Sequence, residues 1–477
     1  MRVCLVCEGS YPYVSGGVSS WVQMLCSEFK DVEFVIWSIA TTKAEMSQYK
    51  YKLPDNVVEV KTVYIGENIE DKGGKHVKLS EKEKQTLRML ITSSYDQINW
   101  DDVFQLIQNN RENLYNIIMG TDFYNCCLDI YKKKNLFLVF HDFLWNMRGI
   151  YLPLVSALSG EIPSADIYHA VSTGFAGILA SCASYIFKRP FLLSEHGIYT
   201  REREEDIIRS DWVTGEFKDI WIDFFKKLSA IAYHQAHLVT TLFESNMTLQ
   251  QELGCPKDKL VIISNGIDFD QFYRQIPKDK AKKDWYDIGA VVRIVPIKDI
   301  KTMLVAFYQI KNAIPKARLH ILGNYDENPE YYKECMELKN NLDLQDVIFY
   351  GQVNVRDYID KIDLFLLTSI SEGQPLAVLE GMAAGKPFIC TNVGDCKSLI
   401  QGNHDEFGPA GYIVPAIDSE AIAEKVISLY KNPELLYQMG QNGQERVRKY
   451  YRKEIFLEQF KKIYNQMGEE LYGRNRI

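Results

Sequence analysis

Two glutamates lie eight residues apart in the segment SEGQPLAVLEGMAAGKP, which covers residues 371–387. Pro375 suits the first position of a helix, and the Gly-Lys-Pro run from Gly385 ends it, so the pattern predicts a short helix. Glu372 then precedes the helix, and Glu380 lies in its second turn, roughly 8 Å further along the axis. A carboxylate at the mouth of a helix can bind the hydroxyls of a sugar, and one farther along can bind the diol of a ribose.

The start of this predicted helix is also suited to an anion. The first N–H groups of a helix have no partner inside the helix, and they carry a partial positive charge. The segment from Gly373 to Leu376 therefore predicts an anion-binding site between the two carboxylates.

Two cations occupy a comparable place in VVRIVPIKDIKTML, where Arg293 and Lys298 follow a predicted strand and precede a predicted helix. Two positive charges at the end of a strand suit a diphosphate, because they can neutralise the charge that grows on a leaving phosphate. A pair of solvated surface residues is the alternative, which this segment alone leaves open.

A glycine pair follows the first predicted strand, in EGSYPYVSGGVSSWVQML. We expect Gly16 and Gly17 to allow positive φ and close approach of the backbone, and the next helix to begin near Val18 or Ser19. A simple tight turn is the alternative. Since the G-x-G-x-x-G fingerprint is absent, the loop disfavours NAD and leaves a phosphate site open.

Two histidines end predicted strands, His196 in SEHG and His169 in IYHAV. A neutral imidazole can hydrogen-bond a sugar hydroxyl or share charge with a reaction centre. A histidine before a glycine at a strand end is also a common turn residue. From the residues alone, catalysis is therefore one of two interpretations.

The D-x-D pair Asp268 and Asp270 could hold a metal–diphosphate complex. Here the pair follows SNGI at a domain edge, where carboxylates typically cap loops. We expect that role, and we expect chemistry without a metal, because Arg293 and Lys298 supply the positive charge.

Short apolar strands alternate with helical segments along the chain, which predicts an α/β protein with two Rossmann-like doubly wound domains and a cleft between them. The strands expected in the first domain are RVCLVCE, VEFVIWSI, ADIYHAVS, FLLSEHG, HLVTTLF and KLVIIS, and those in the second are GAVVRIV, ARLHILG, VIFYGQV, DLFLLTS, PFICT and GYIVP. We place the first domain at 1–280, with a helical insertion at about 66–135, the second at 281–447, and a terminal helix at 448–477.

Composition narrows the class of protein. The 477 residues carry a formal charge of −8 and no long Lys/Arg tract, which argues against nucleic acid as the main partner. No apolar run is long enough to span a membrane and the N-terminus does not resemble a secretion signal, so we expect a cytoplasmic chain. The ten scattered cysteines are expected to be reduced thiols that pack as small hydrophobes.

The pattern S-E-G-Q-P-x4-E-x-M-A-x-G-x-P resembles the E-x7-E signature of retaining glycosyltransferases of the family-4 type, which have the GT-B fold and use sugar nucleotides. The resemblance extends over nearly the whole chain and includes the Gly-Gly loop, SEHG at 194–197, SNGID at 264–268, the Arg/Lys pair and GYIVP. The chain departs from the family at E-G-Q-P, where E-x-F-G is usual, and at ILGNY, where Asn324 replaces a glycine.

Four segments, EGSYPYVSGGVSSWV, IYHAVSTGFAG, FLLSEHGIYTRER and VVRIVPIKDIKT, are similar to the PelF branch, which makes Pel-type exopolysaccharide. This resemblance implies a UDP-sugar donor, either UDP-glucose or a UDP-N-acetylhexosamine, with no further cofactor. It also implies a polysaccharide acceptor and allows a peripheral place at an inner-membrane synthase complex. The sugar itself is not specified by the sequence.

The family roles transfer to this chain residue by residue. Arg293 and Lys298 would hold the diphosphate, Glu372 the sugar, and His196 the reactive face of the sugar. The positions expected to bind the nucleotide part of the donor are Gly16, Gly17, Gly373, Gln374, Pro375, Leu376 and Glu380. His169 is the competitor of His196, which is favoured by its SEHG context. An epimerase or hydrolase of the same fold and a non-catalytic binding subunit are the alternative functions.

Overall fold

The structure is a computed structural model of the chain. It describes residues 1–43, 48–66, 77–134, 139–213, 215, 217–276, 284–403 and 405–474. Parts of the predicted organisation lie outside these residues, namely 67–76 and 135 of the expected insertion, 277–283 around the expected domain boundary, and 475–477 of the terminal helix.

The described residues divide into two compact units, 1–263 with 460–477, and 264–459. The first unit contains a parallel sheet of seven strands in the order β3-β2-β1-β4-β5-β6-β7. Its strands are β1 Arg2–Glu8, β2 Glu33–Ala40, β3 Val57–Tyr64, β4 Ile167–Ala170, β5 Phe191–Glu195, β6 Leu238–Thr241 and β7 Leu260–Ile262.

Six of these strands coincide with the apolar runs predicted from the sequence, and β3 is an addition. Five consecutive residues of β1, from Val3 to Cys7, are fully buried, as expected for a parallel sheet covered on both faces. In contrast, β3 pairs only with β2 at the edge of the sheet, and Val58 on it is 49% exposed. Its sequence VVEVKTVY is interrupted by Glu59 and Lys61, so it lacks the continuous apolar run used for prediction.

Helices cover this sheet and form the insertion. They are α1 Gly17–Glu28, α2 Glu81–Thr92, α3 Trp100–Asn110, α4 Leu114–Met119, α5 Thr121–Lys134, α6 Phe140–Ser159, α7 Gly174–Phe187, α8 Tyr199–Arg209, α9 Phe217–Gln235 and α10 Glu244–Glu252. The described part of the predicted insertion is helical, with α2 to α5 in it. The apolar stretch around residue 150 forms α6, whose buried residues join the core of the first unit. Among the described helices, none is both long and apolar enough to cross a bilayer.

The second unit contains a parallel sheet of six strands in the order β10-β9-β8-β11-β12-β13. Its strands are β8 Tyr286–Val291, β9 Ala317–Leu322, β10 Val347–Gly351, β11 Leu364–Leu367, β12 Phe388–Thr391 and β13 Gly411–Val414. All six were predicted, although β8 begins and ends earlier than the run GAVVRIV. Arg293 therefore lies beyond the strand, in the loop that follows it.

The helices of the second unit pack around this sheet, and the last helix of the chain begins in it. They are α11 Phe269–Phe272, α12 Ile300–Ala313, α13 Pro329–Asn341, α14 Leu376–Ala383, α15 Cys396–Gln401, α16 Ser419–Lys431, α17 Pro433–Tyr450 and α18 Lys453–Arg474. From Phe460 onward, α18 belongs to the first unit. There the Tyr464 hydroxyl lies 2.7 Å from Nδ1 of His169 on β4.

Both units are thus Rossmann-like parallel sheets covered by helices, as the sequence predicts. All ten cysteines are free and buried, which agrees with the expected reduced thiols. In both sheets, the loops that follow the carboxyl ends of adjacent strands meet at one edge, which is where such folds bind ligands.

Candidate functional site

The largest cluster of predicted site residues lies at the carboxyl ends of the strands of the second sheet. Strands β8, β11 and β12 are neighbours there, and the loops that follow them carry Arg293 with Lys298, Glu372, and the turn at Gly394 and Asp395. Because the strands are parallel, these loops emerge on the same side of the sheet. The topology therefore brings together residues that are up to about a hundred positions apart in the sequence.

Lys298 and Glu372 form an ion pair, with 2.6 Å between Nζ and Oε1. Both side chains are largely buried, at 16% and 10% exposure. The Ser369 hydroxyl donates a second hydrogen bond to Oε1, at 2.5 Å. A charge-assisted pair of this kind, shielded from water, holds the Glu372 carboxylate in a defined position.

The backbone around this pair is tied together as well. The Thr368 hydroxyl donates to the carbonyl oxygens of Lys298 and Asp299, at 3.0 and 3.1 Å. The amide of Ile370 donates to the carbonyl of Ile297 at 2.8 Å. The loop after β8 and the loop after β11 are thus joined at three points, so the two charges of the ion pair are supported by rigid backbone.

Arg293 has a different partner. Its Nη1 lies 2.6 and 2.8 Å from the two carboxylate oxygens of Glu327, and both side chains are about half exposed. Glu327 lies in the loop after β9, and nothing in the sequence pattern distinguished it from other surface glutamates. The loops after β8 and β9 lie side by side, with Gly323 close to Val292. A Cβ added to Gly323 would lie only 1.9 Å from the Val292 carbonyl oxygen.

The segment Gly373–Leu376 forms the start of α14 as predicted, shifted by one position. Pro375 is the N-cap residue, rather than the first helical residue, and the helix begins at Leu376. The Gln374 side chain is buried and makes two hydrogen bonds: Nε2 donates to Asp395 at 2.6 Å, and Oε1 accepts from the Asn265 amide at 2.6 Å. Gln374 was predicted from its position at the helix start, and no signal in the sequence indicated this role of its side chain.

Glu380 lies one turn into α14 and is partly buried. Burial raises its pKa to about 7, against the opposing effect of the Arg356 charge. Within the described residues, its carboxyl group makes no hydrogen bond or ion pair. A partly buried carboxyl group with free hydrogen-bonding capacity is the kind of group that receives a polar ligand.

The glycine pair of the first unit differs from the expectation in its backbone. Gly16 is extended, with φ 174° and ψ 178°, and the glycine with positive φ in this loop is Gly9, at 57°. Helix α1 begins at Gly17, one residue before the predicted start. A Cβ added to Gly16 or Gly17 would meet none of the described atoms within 4 Å, so the missing side chains leave the start of α1 open.

The two histidines have different surroundings. His169 is fully buried, and both ring nitrogens are bound, Nδ1 to Tyr464 and Nε2 to the Ser194 hydroxyl at 2.7 Å each. Burial, with a smaller contribution from His196, lowers its pKa to about 3. His169 therefore links the strands to the terminal helix.

His196 follows β5, and its ring meets the Trp21 ring edge-to-face with 4.7 Å between centroids. Its Nε2 atom is buried and has no hydrogen-bond partner among the described residues. Burial lowers its pKa to about 4, so the imidazole is neutral near pH 7. The described residues therefore supply no hydrogen-bond partner for this nitrogen.

The D-x-D carboxylates are used in local structure. Asp268 caps α11 by accepting from the Gln271 amide at 3.3 Å, and Asp270 pairs with Arg452 at 2.7 Å. The capping role of Asp268 is the one that its loop position predicts.

Two family models match consecutive parts of the chain. Residues 1–258 match the model described as "Domain of unknown function (DUF3492)", which is more than half of the chain. Residues 272–446 match "Glycosyl transferases group 1", and this range contains the Lys298–Glu372 pair, Arg293 and Glu380.

Relatives of known name match parts of the chain at moderate identity. N-acetyl-alpha-D-glucosaminyl L-malate synthase of Bacillus anthracis is 30% identical over 239 residues, which cover 48% of this chain and 60% of that protein. The capsular polysaccharide biosynthesis glycosyltransferase CapM of Staphylococcus aureus is 26% identical over 329 residues, which cover 63% of this chain and 76% of that protein. The first of these matches therefore spans less than two thirds of the relative.

The fold has close counterparts among solved structures. Anabaena Alr3699/HepE in complex with UDP has a TM-score of 0.64 and 15% identity, with coverage of 98% of this chain and 100% of that chain. The same protein has also been solved with UDP-glucose. At this identity the likeness shows the GT-B fold. The chain therefore belongs to the DUF3492 family, and residues 272–446 in its second half match the glycosyl transferases group 1 model.

Proposed function

We propose that this chain is a retaining, UDP-sugar-dependent hexosyltransferase that works without a metal ion and extends an exopolysaccharide of the Pel type. The single observation that carries the proposal is the arrangement around α14. The Lys298–Glu372 pair lies at the mouth of the helix, and Glu380 lies one turn further along it.

The cations are proposed to bind the donor diphosphate. Lys298 is shielded from water, so its charge acts on a bound phosphate more strongly than that of an exposed lysine would. Arg293 can release Glu327 at small cost, because ion pairs between exposed side chains are weak. As the bond between sugar and phosphate breaks, charge grows on the diphosphate, and these two groups stabilise it.

The carboxyl groups are proposed to bind the two ends of the donor. Glu372 accepts hydrogen bonds from sugar hydroxyls, and Glu380 binds the ribose diol. The amides at the start of α14, in the segment from Gly373 through Gln374 and Pro375 to Leu376, support the diphosphate between them. The roles expected for His196, Gly16 and Gly17 remain predictions.

The proposed reaction transfers a glycosyl group with retention of configuration at the anomeric carbon. The bond from that carbon to the UDP oxygen breaks, and a bond to an acceptor hydroxyl oxygen forms on the same face of the sugar. The hydroxyl proton passes to the departing phosphate, so no protein carboxylate is required as a nucleophile. A retaining glycosidase, in contrast, places two carboxylates about 5 Å apart across the bond.

The comparisons support the donor and the product class. HepE has been solved with UDP and with UDP-glucose, and CapM is named for capsular polysaccharide biosynthesis. The Pel assignment depends on the four sequence segments that resemble that branch. With this assignment we also propose that the acceptor is a polysaccharide, that the reaction takes place in the cytoplasm, and that the partner is an inner-membrane synthase complex.

The test is to incubate the purified chain with UDP-glucose, UDP-N-acetylglucosamine and UDP-N-acetylgalactosamine and to measure UDP release with and without an oligosaccharide acceptor. We expect release that depends on the acceptor and persists in EDTA. Equal release without acceptor would favour a hydrolase, and conversion of the donor without UDP release would favour an epimerase. Binding without any turnover would indicate a binding subunit.

A further inference from the structure

We propose that Asp395 is a positioning residue, which acts through Gln374 and the backbone of Gly373 to hold Glu372 at the sugar. The contact between Glu372 and a sugar rests on the proposed function. The effect of Asp395 on the position of the Glu372 loop can be tested without any substrate. Asp395 was not singled out by any sequence motif, and it lies 23 residues beyond Glu372.

The turn after β12 packs directly on the loop that carries Glu372. The Asp395 amide donates to the Gly373 carbonyl at 3.0 Å. Gly394 has a positive φ of 52°, and a Cβ on it would lie 2.3 Å from the Gly373 carbonyl oxygen and 2.4 Å from that of Glu372. The backbone of the turn after β12 is therefore in direct contact with the backbone of the Glu372 loop. The Glu372 loop has no space to move toward β12.

The Gln374 side chain forms the second link. Its Nε2 donates to Oδ2 of Asp395 and its Oε1 accepts from the Asn265 amide, each at 2.6 Å. The Gln374 and Asp395 residues are only 6% and 2% exposed. Because both ends of the amide are bound, the side chain has one orientation, and the backbone between Glu372 and α14 is held from both sides.

These links matter because the side-chain contacts of Glu372 change during the proposed reaction. Lys298 is shared between Glu372 and the diphosphate, so the ion pair cannot by itself keep Glu372 in place once phosphate binds. The contacts to Gly373 and Gln374 use the Gly373 carbonyl and the Gln374 side chain, whereas the donor is proposed to bind backbone N–H groups of this segment. They can therefore keep the carboxylate in position in both situations.

A purely structural role is the competing explanation, since removing any buried aspartate can destabilise a protein. Asp287 provides the matched control. It is also buried in the second unit, where it accepts hydrogen bonds from Arg318 and His320. It lies at the amino end of β8, whereas the Glu372 loop lies at the carboxyl ends of the strands. Asp287→Ala should lower the melting temperature and leave the Glu372 loop unaffected.

The first experiment measures amide hydrogen exchange of residues 370–374 in the full chain without ligand. We expect exchange in Asp395→Ala to be at least about 10-fold faster than in wild type. Asp395→Asn should restore slow exchange, because an amide oxygen can still accept from Gln374. Unchanged exchange in Asp395→Ala, or an equal increase in Asp287→Ala, would overturn the positioning role whether or not the chain transfers sugar.

The second experiment is a double-mutant cycle on turnover. Asp395→Ala should lower kcat by about 10-fold or more, as expected for a misplaced contact group. If Asp395 acts through Glu372, the combination with Glu372→Gln should be no worse than Glu372→Gln alone. Additive losses would overturn the inference. Faster exchange in Asp395→Ala, together with no transfer by the wild-type chain, would instead contradict the proposed function alone.

Discussion

Lys298 Nζ lies 2.6 Å from Oε1 of Glu372, although the two residues are 74 positions apart in the sequence. Each was singled out for a different part of the donor, Lys298 for the diphosphate and Glu372 for the sugar. Their contact means that a ligand bound by both residues would place its phosphate and its sugar on adjacent groups, as a nucleotide sugar does.

The first prediction concerns the proposed diphosphate-binding cations. Lys298→Ala and Arg293→Ala should each lower transfer by about two orders of magnitude or more, because each removes a preorganised charge from the leaving group. Steady-state UDP release measures the effect. Lys301→Ala is the matched control, since Lys301 lies nearby on α12 but pairs with Glu334. Near-normal turnover in both variants, with the fold intact, would refute the assignment.

The second prediction separates the two glutamates by calorimetric titration of UDP. Glu372→Gln should reduce turnover while UDP binds nearly as well as before, because the lost charge lies on the sugar half of the ligand. Glu380→Ala should weaken binding of both UDP and the UDP-sugar, because the ribose is common to them. Unaltered UDP affinity in Glu380→Ala, or an equal loss in Glu372→Gln, would contradict this division.

The third prediction uses the pKa of Glu380, which burial raises from 4.5 to about 7. The folded state then holds this proton to a higher pH than the unfolded state, so Glu380 reduces stability as pH rises between about 4.5 and 7. Glu380→Gln removes the effect. Its melting temperature relative to wild type should therefore be higher at pH 8 than at pH 5.

An exposed glutamate gives the control for this measurement. Glu337 is 62% exposed and only loosely paired with Lys333, so Glu337→Gln should change the melting temperature little at either pH. An identical difference between Glu380→Gln and wild type at pH 5 and pH 8 would show that Glu380 does not titrate in this range.

The fourth prediction concerns the terminal helix. Tyr464→Phe leaves the buried Nδ1 of His169 without its partner, which should cost about 1–3 kcal/mol of unfolding free energy. Tyr450→Phe is the control, because its hydroxyl bonds Glu406 at an exposed site and should contribute within about 0.5 kcal/mol. Thermal or denaturant unfolding measures both variants.

Truncation after Tyr450 extends the same test. It removes the apolar face of α18, in which Phe456, Phe460, Ile463 and Tyr464 are buried and Ile455 is partly buried. The remaining chain should expose the matching surface and melt at a lower temperature. An unchanged melting temperature in the truncated chain would exclude a stabilising role for this helix.

The sequence by itself determined the elements and the helix that carries the candidate site. Continuous apolar runs indicate buried strands, which is why twelve of the thirteen strands in the described residues were predicted, whereas β3, whose sequence VVEVKTVY is interrupted by charged residues, was not. The proline and glycine signals likewise located α14 to within one residue. These features depend on local patterns, which a single sequence displays.

Only the tertiary structure decided the partners. The pairing of Lys298 with Glu372, of Arg293 with Glu327, and of Gln374 with Asp395 joins residues from loops that follow different strands. Gly16 was expected to allow a positive φ, but its backbone is extended, because φ depends on how the loop leaves β1 and not on the presence of glycine alone. Contacts of this kind arise from strand order and packing, so no local pattern in the sequence specifies them.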